Sequence, residues 1–257
     1  MTNDLYSEIL DAHVHVGQFK ERYFPPEFIV KEMRSLKVKK WIVSSTSSCD
    51  EHYDFGKVKD EINCLLHIAP NEAFPLLWIR PDMIEKSPDL SKYEHKHYGF
   101  KIHGYIQNWD PIGEPIKKVF SIAKERSLPV LIHTGGKKEC DAESYMSICE
   151  MFPTVKVVLA HGRPIEQAEK MLEKCPNCRV DTAFMPIENI LHLISKGYTD
   201  RILFGSDHPI GVFYDKKKSE DIYKDIIFNL KSNIEHDDLM RICSGNIKKV
   251  FFHSQKS

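Results

Sequence analysis

The chain has 257 residues, 42% apolar and 28% charged, an ordinary globular balance with ample material for a core. Lys and Arg (36) nearly match Asp and Glu (37), and the net charge of −1 is spread along the chain, which argues against nucleic acid or an anionic membrane surface as partner. The stretch Met1–Glu8 is polar, no apolar run approaches the ~20 residues of a membrane span, and seven scattered cysteines do not make a disulfide framework, so a soluble, reduced, cytoplasmic protein is expected.

In chain order, short apolar runs rich in β-branched residues alternate with longer stretches of helical spacing. The predicted strands are Ile9–Val16, Lys40–Ser45, Phe74–Arg80, Gly99–His103, Val130–Thr134, Val155–His161, Arg179–Ala183 and Arg201–Asp207. Runs such as Trp41-Ile42-Val43 and Val130-Leu131-Ile132 suit parallel strands covered on both faces. Between the strands, Pro26–Leu36, Pro115–Arg126, Glu143–Phe152, Ile165–Lys174 and Glu188–Lys196 read as amphipathic helices. The segment Asp237–Phe252 reads as a last helix, interrupted near Ser244-Gly245-Asn246. Ser47–Gly56 and Gly211–Ser219 are polar loops.

Eight strands with helical crossovers predict an α/β fold, either a closed (β/α)8 TIM barrel or an open doubly wound sheet. No glycine-rich nucleotide fingerprint follows the first strand, where His13-Val14-His15-Val16-Gly17 stands. A barrel, as one domain over residues 1–257, is favoured.

The 13 histidines give that barrel a chemistry. His13 and His15, two apart on a strand, share a face. His133 ends the fifth strand, His161 the sixth and Asp207 the eighth, and in a barrel all such ends meet where active sites sit. Imidazoles and a carboxylate suit Zn²⁺ and similar divalent ions, and an open coordination position can hold a water whose pKa falls to roughly 7. A lone His-x-His is a weak signal, but four strand ends carrying His-x-His, His, His and Asp are hard to obtain by chance.

The segments Asp11-Ala12-His13-Val14-His15, Gly99-Phe100-Lys101-Ile102-His103, Leu131-Ile132-His133-Thr134-Gly135, Leu159-Ala160-His161-Gly162 and Leu203-Phe204-Gly205-Ser206-Asp207-His208-Pro209 resemble the amidohydrolase superfamily, in its amidohydrolase-related branch of TIM-barrel metal-dependent hydrolases. The resemblance implies that His13, His15 and Asp207 hold one metal, with Asp207 as general base. It implies that His133 and His161 hold a second metal, or that His133 joins the first and His161 acts on substrate or water. Lys101 stands where some members carry a metal-bridging carbamate; as an ammonium it would bind an anionic substrate instead.

Arg163, Arg80, His103 and Trp109 are the candidate substrate contacts. Cys175-Pro176-Asn177-Cys178 has the spacing of a zinc knuckle or redox pair, but it lacks a second pair and precedes a strand. The expected activity is metal-assisted hydrolysis of a C–N or C–O bond in a small, anionic molecule, with one or two divalent ions, most simply Zn²⁺. The alternatives are a non-oxidative decarboxylase or lactonase of the same superfamily, and a barrel that binds metal without catalysis. A homo-oligomer stays open.

Overall fold

The computed structural model of the protein describes residues 9–49, 53–93, 96–215 and 218–252. The polar stretch Met1–Glu8 and parts of the loops Ser47–Gly56 and Gly211–Ser219 lie outside the described residues. The strands are β1 (Leu10–Phe19), β2 (Arg22–Phe24), β3 (Lys40–Ser45), β4 (Ala73–Pro75), β5 (Leu77–Trp78), β6 (Phe100–His103), β7 (Val130–His133), β8 (Val157–Ala160), β9 (Cys178–Asp181) and β10 (Ile202–Leu203).

They form two sheets, ordered β2-β1-β3-β4 and β10-β9-β8-β7-β6-β5. Only Leu76 separates β4 from β5, so the two are halves of one strand that leans on β3 at one end and β6 at the other. The backbone N–H of Leu76 donates to Val43 (2.7 Å) and that of Leu77 to Gly99 (3.0 Å), which joins the sheets at that seam. At the other seam the run after β10 lies against β1: Ala12 donates to Phe204 (2.9 Å), Asp207 to His13 (2.9 Å) and His15 to His208 (2.7 Å). The eight expected strands thus form the wall of a (β/α)8 barrel, with β2 as an added antiparallel partner for the end of β1.

The reason the wall forms is visible in burial. In β7 and β8, Val130, Leu131, Ile132, Val157, Val158 and Leu159 are all buried, because one face meets the barrel interior and the other the helices. Those helices present stripes. Glu114–Glu125 buries Ile116, Val119, Phe120 and Ala123, and Ile165–Lys174 buries Ala168, Met171 and Leu172, the spacing of one helical face. The last helical stretch runs from His236–Met240 to Asn246–Phe251 through a π turn at Arg241–Gly245, which is the predicted interruption. Helices Phe55–Ile68 and Ser219–Asn233 were not among the predicted elements. Among the described residues no helix is long and apolar enough to cross a membrane.

Candidate metal centre

His13 and His15 point from β1 to one spot above the strand ends, as the alternation of a strand requires. Their Nε2 atoms stand 3.1 Å apart, and Asp207 Oδ1 lies 3.3 Å from the first and 2.8 Å from the second. All three residues are buried. The far ring nitrogens set the tautomers: His13 Nδ1 donates to Asp181 Oδ2 (2.9 Å) and His15 Nδ1 to the Ser44 carbonyl (3.2 Å). Two Nε2 lone pairs and a carboxylate oxygen therefore face one point with no hydrogen among them. Such a gathering of electron pairs is unfavourable alone and suits a cation. Metal–ligand bonds of about 2.0–2.2 Å place neighbouring donors at right angles roughly 3 Å apart, which the three separations match.

Burial pushes the His13 imidazole well below its ordinary range, with Lys101 adding to it. Burial also pushes the Asp207 carboxyl up, but His13 and His15 outweigh that and hold it below the usual carboxylate range. Lys101 is buried, its Nζ 3.1 Å from His13 Nε2, and desolvation brings its ammonium down to about 8.

His161 follows β8. Its Nδ1 donates to the Ala183 carbonyl (3.1 Å), leaving Nε2 free to meet His133 Nδ1 at 3.1 Å. Both His161 (φ +72°) and Asp207 (φ +56°) sit in the left-handed region, a cost of about 1–3 kcal/mol each that persists where surroundings over-determine a functional geometry. The expected candidates His13, His15 and Asp207 are in mutual contact, and Lys101 joins them through His13 Nε2. His133 is not in that contact set; it reaches it through His161 and lies in a separate donor group with His103 and Cys140.

A family model described as Amidohydrolase matches residues 68–252. The chain belongs to the amidohydrolase family. The family is metal-dependent, in accord with the donor set just described. The match begins beyond β1, so the place of His13 and His15 in this amidohydrolase rests on the structure itself. No curated protein matches the chain in sequence. Among solved structures it is similar to a probable 2-pyrone-4,6-dicarboxylic acid hydrolase from Acinetobacter baumannii with citric acid bound, at 11% identity and TM-score 0.71, over 95% of this chain and 99% of that one. An amidohydrolase from Burkholderia multivorans with bound zinc gives 11% identity and TM-score 0.70 over the same shares. A 5-carboxyvanillate decarboxylase from Sphingomonas paucimobilis gives 12% and 0.68, again over 95% and 99%. At these identities the likeness is one of fold.

The centre floors a cavity of about 890 Å³ whose wall includes Trp78, His103, Lys20, Lys137 and Arg163. Arg163 enters the mouth because Gly135 is there: at φ +81°, a Cβ on Gly135 would stand 2.3 Å from Arg163 Cγ. Two further expected contacts are not brought to the wall. Arg80 turns to the loop after β3, with Nη1 donating to the Ser48 carbonyl (2.9 Å) and the guanidinium over Tyr53 (4.9 Å). Trp109 is buried in the core, since its backbone N–H bonds Gly104 (3.0 Å) and folds the loop after β6 inward.

Sequence reasoning missed Asp181. Its Oδ2 holds His13, and its Oδ1 accepts from the backbone N–H groups of His161 (2.8 Å) and Ala183 (3.1 Å). The available signal was a carboxylate at the end of a predicted strand, where a ligating histidine needs an outer partner.

Proposed function

We propose that the chain is a metal-dependent hydrolase that opens a C–N or C–O bond in a small anionic substrate. One observation carries this: a buried His13–His15–Asp207 donor set lies beneath a wall that carries Lys20, Lys137 and Arg163, with Asp207 as its only carboxylate among the described residues. The cations favour an acidic substrate, and Arg163 can grip a carboxylate in bidentate fashion. Zn²⁺, one or two ions per chain, suits the imidazole and carboxylate donors.

The ion supplies Lewis acidity, polarising the scissile carbonyl and easing deprotonation of water. Asp207, kept ionised by its two histidines, accepts the proton of the attacking water and passes it to the leaving group. His161, whose Nε2 carries no hydrogen, accepts a hydrogen bond there from the water or from a hydroxyl of the substrate. Lys101 acts as a carbamate ligand or as a cation on the substrate, and a bicarbonate requirement for reconstitution separates the two. A small molecule in the cytoplasm is the expected partner.

The cationic wall equally suits a carboxylate that departs as CO2, so non-oxidative decarboxylation is the second reading. The test is a panel of carboxylate-bearing lactones, cyclic amides and aromatic acids given to zinc-loaded protein, with acid release and CO2 release followed in parallel. Acid release that Asp207→Asn lowers by about 10²–10⁴-fold is expected. CO2 release instead selects the second reading, and full turnover after exhaustive metal removal overturns both.

A further inference from the structure

His103 lines the cavity but stands outside the His13–His15–Asp207 set. It ends β6 two residues beyond Lys101, so both side chains leave the strand on one face. Lys101 reaches His13, and His103 stands roughly 6.5 Å further along the strand, above the centre and toward the mouth.

The ring is clamped. β6 lies between β5 and β7, so Trp78 and His133 flank His103 from opposite sides. Trp78 is 7° from parallel with centroids 6.3 Å apart, and His133 is 11° from parallel at 3.9 Å. Trp78 is held in turn, its Nε1–H donating to Gln107 Oε1 (3.1 Å). The imidazole therefore keeps one orientation, because turning it would break the stack on both faces.

Its hydrogen bonds fix the tautomer. The Ile106 N–H donates to Nδ1 (3.4 Å), so that nitrogen presents a lone pair. Cys140 Sγ lies 3.8 Å from the same nitrogen and accepts from the Tyr105 N–H (3.4 Å), which suits a thiol whose hydrogen points at Nδ1. A neutral imidazole whose Nδ1 accepts carries its hydrogen on Nε2. No hydrogen-bond acceptor meets that Nε2 among the described residues.

The geometry points to a catalytic part for this ring: the His103 Nε2–H donates to the substrate oxygen that gains negative charge as the bond is opened. This role rests on the hydrolase reading for its reaction, and on the stack and the tautomer for its residue. No proton is transferred, since the hydrogen stays on Nε2 throughout. The acceptor is a carbonyl oxygen in hydrolysis and an enolate-type oxygen in decarboxylation, so either reaction uses the donor. A donor fixed before charge arrives needs no reorganisation when it does, and losing one such donor costs about 10²–10³-fold in kcat. The competing arrangement is a ring that only packs between Trp78 and His133.

Two variants separate them. His103→Phe keeps a ring for the stack and removes the donor, whereas His103→Gln keeps an N–H donor and loses the ring. On whichever panel compound is turned over, His103→Phe should lower kcat about 10²–10³-fold with KM near the wild-type value, and His103→Gln should lose less. Zinc per chain should be the same in all three proteins, because the ring holds no ion, and circular dichroism checks that each is folded. A second readout needs no turnover. In ¹⁵N NMR of histidine-labelled protein, with the His103 signals assigned by their absence in His103→Phe, the hydrogen should be found on Nε2. Wild-type kcat in His103→Phe, a loss confined to KM, or a hydrogen on Nδ1 overturns the role. The Nε2 tautomer together with no turnover of any panel compound faults the hydrolase reading instead.

Discussion

Asp181 is buried and does not line the cavity above the centre, yet it governs what the centre presents. With its carboxylate accepting from His13 Nδ1, that ring must offer a bare Nε2 to the site. Asp181→Asn replaces an acceptor by a group that can turn its NH2 toward Nδ1, and the imidazole then shifts its hydrogen to Nε2. Metal affinity should fall about 10–100-fold while the fold is retained, measured by competition with a chromophoric chelator. Unchanged affinity would show that His13 is oriented by other contacts. The ligands were legible in the sequence because histidines at strand ends are rare enough to be noticed together. Asp181 was not, since one carboxylate among 37 acidic residues becomes informative only when its partner is known.

At the scale of elements, the barrel strands were legible because parallel strands buried on both faces write continuous apolar runs. Helix Ser219–Asn233 was not. It buries Tyr223, Ile227 and Leu230 but also places Phe228 on the outside, so the contrast between its faces is low. Yet this helix pins the seam on which the centre depends. The Tyr223 hydroxyl donates to the Asp11 carboxylate, which also accepts from Ser206 Oγ (2.6 Å) and the backbone N–H groups of His13 (2.9 Å) and Ser206 (3.2 Å). Asp11 is fully buried and every one of these partners gives a hydrogen, so β1, the run after β10 and the helix are tied through one side chain. Tyr223→Phe deletes one donor with little change of shape and should cost about 1–3 kcal/mol in urea unfolding. A loss within about 0.5 kcal/mol would place the tie in packing alone.

For the molecule as a whole, the concentration of neutral imidazoles in one buried mouth couples folding to acid. Burial brings both His103 and His208 down to about 3, from an ordinary 6.5. His13, His133 and His161 are shifted the same way, again chiefly by burial. Between pH 6.5 and 3 the unfolded chain takes up protons that these folded rings refuse, so their contribution to stability falls as pH falls through that window and is constant above it. Each such group removes about 2 kcal/mol between pH 6.5 and 5, and two of them already approach the lower end of a typical domain's total stability of about 5–15 kcal/mol. Asp11, which burial raises to about 7, takes up a proton in the fold and offsets part of this loss, as does Asp181, but the five rings outnumber these two carboxyls, so the urea midpoint of metal-free protein should drop from pH 6.5 to 5. Saturating Zn²⁺ should raise the midpoint at neutral pH, because the ion binds only the folded donors. That gain should shrink on acidification as protons compete for the same lone pairs. A midpoint that holds level down to pH 5 in metal-free protein would mean that these rings are charged in the fold. Such rings would offer the ion no lone pairs, and the metal centre would go with them.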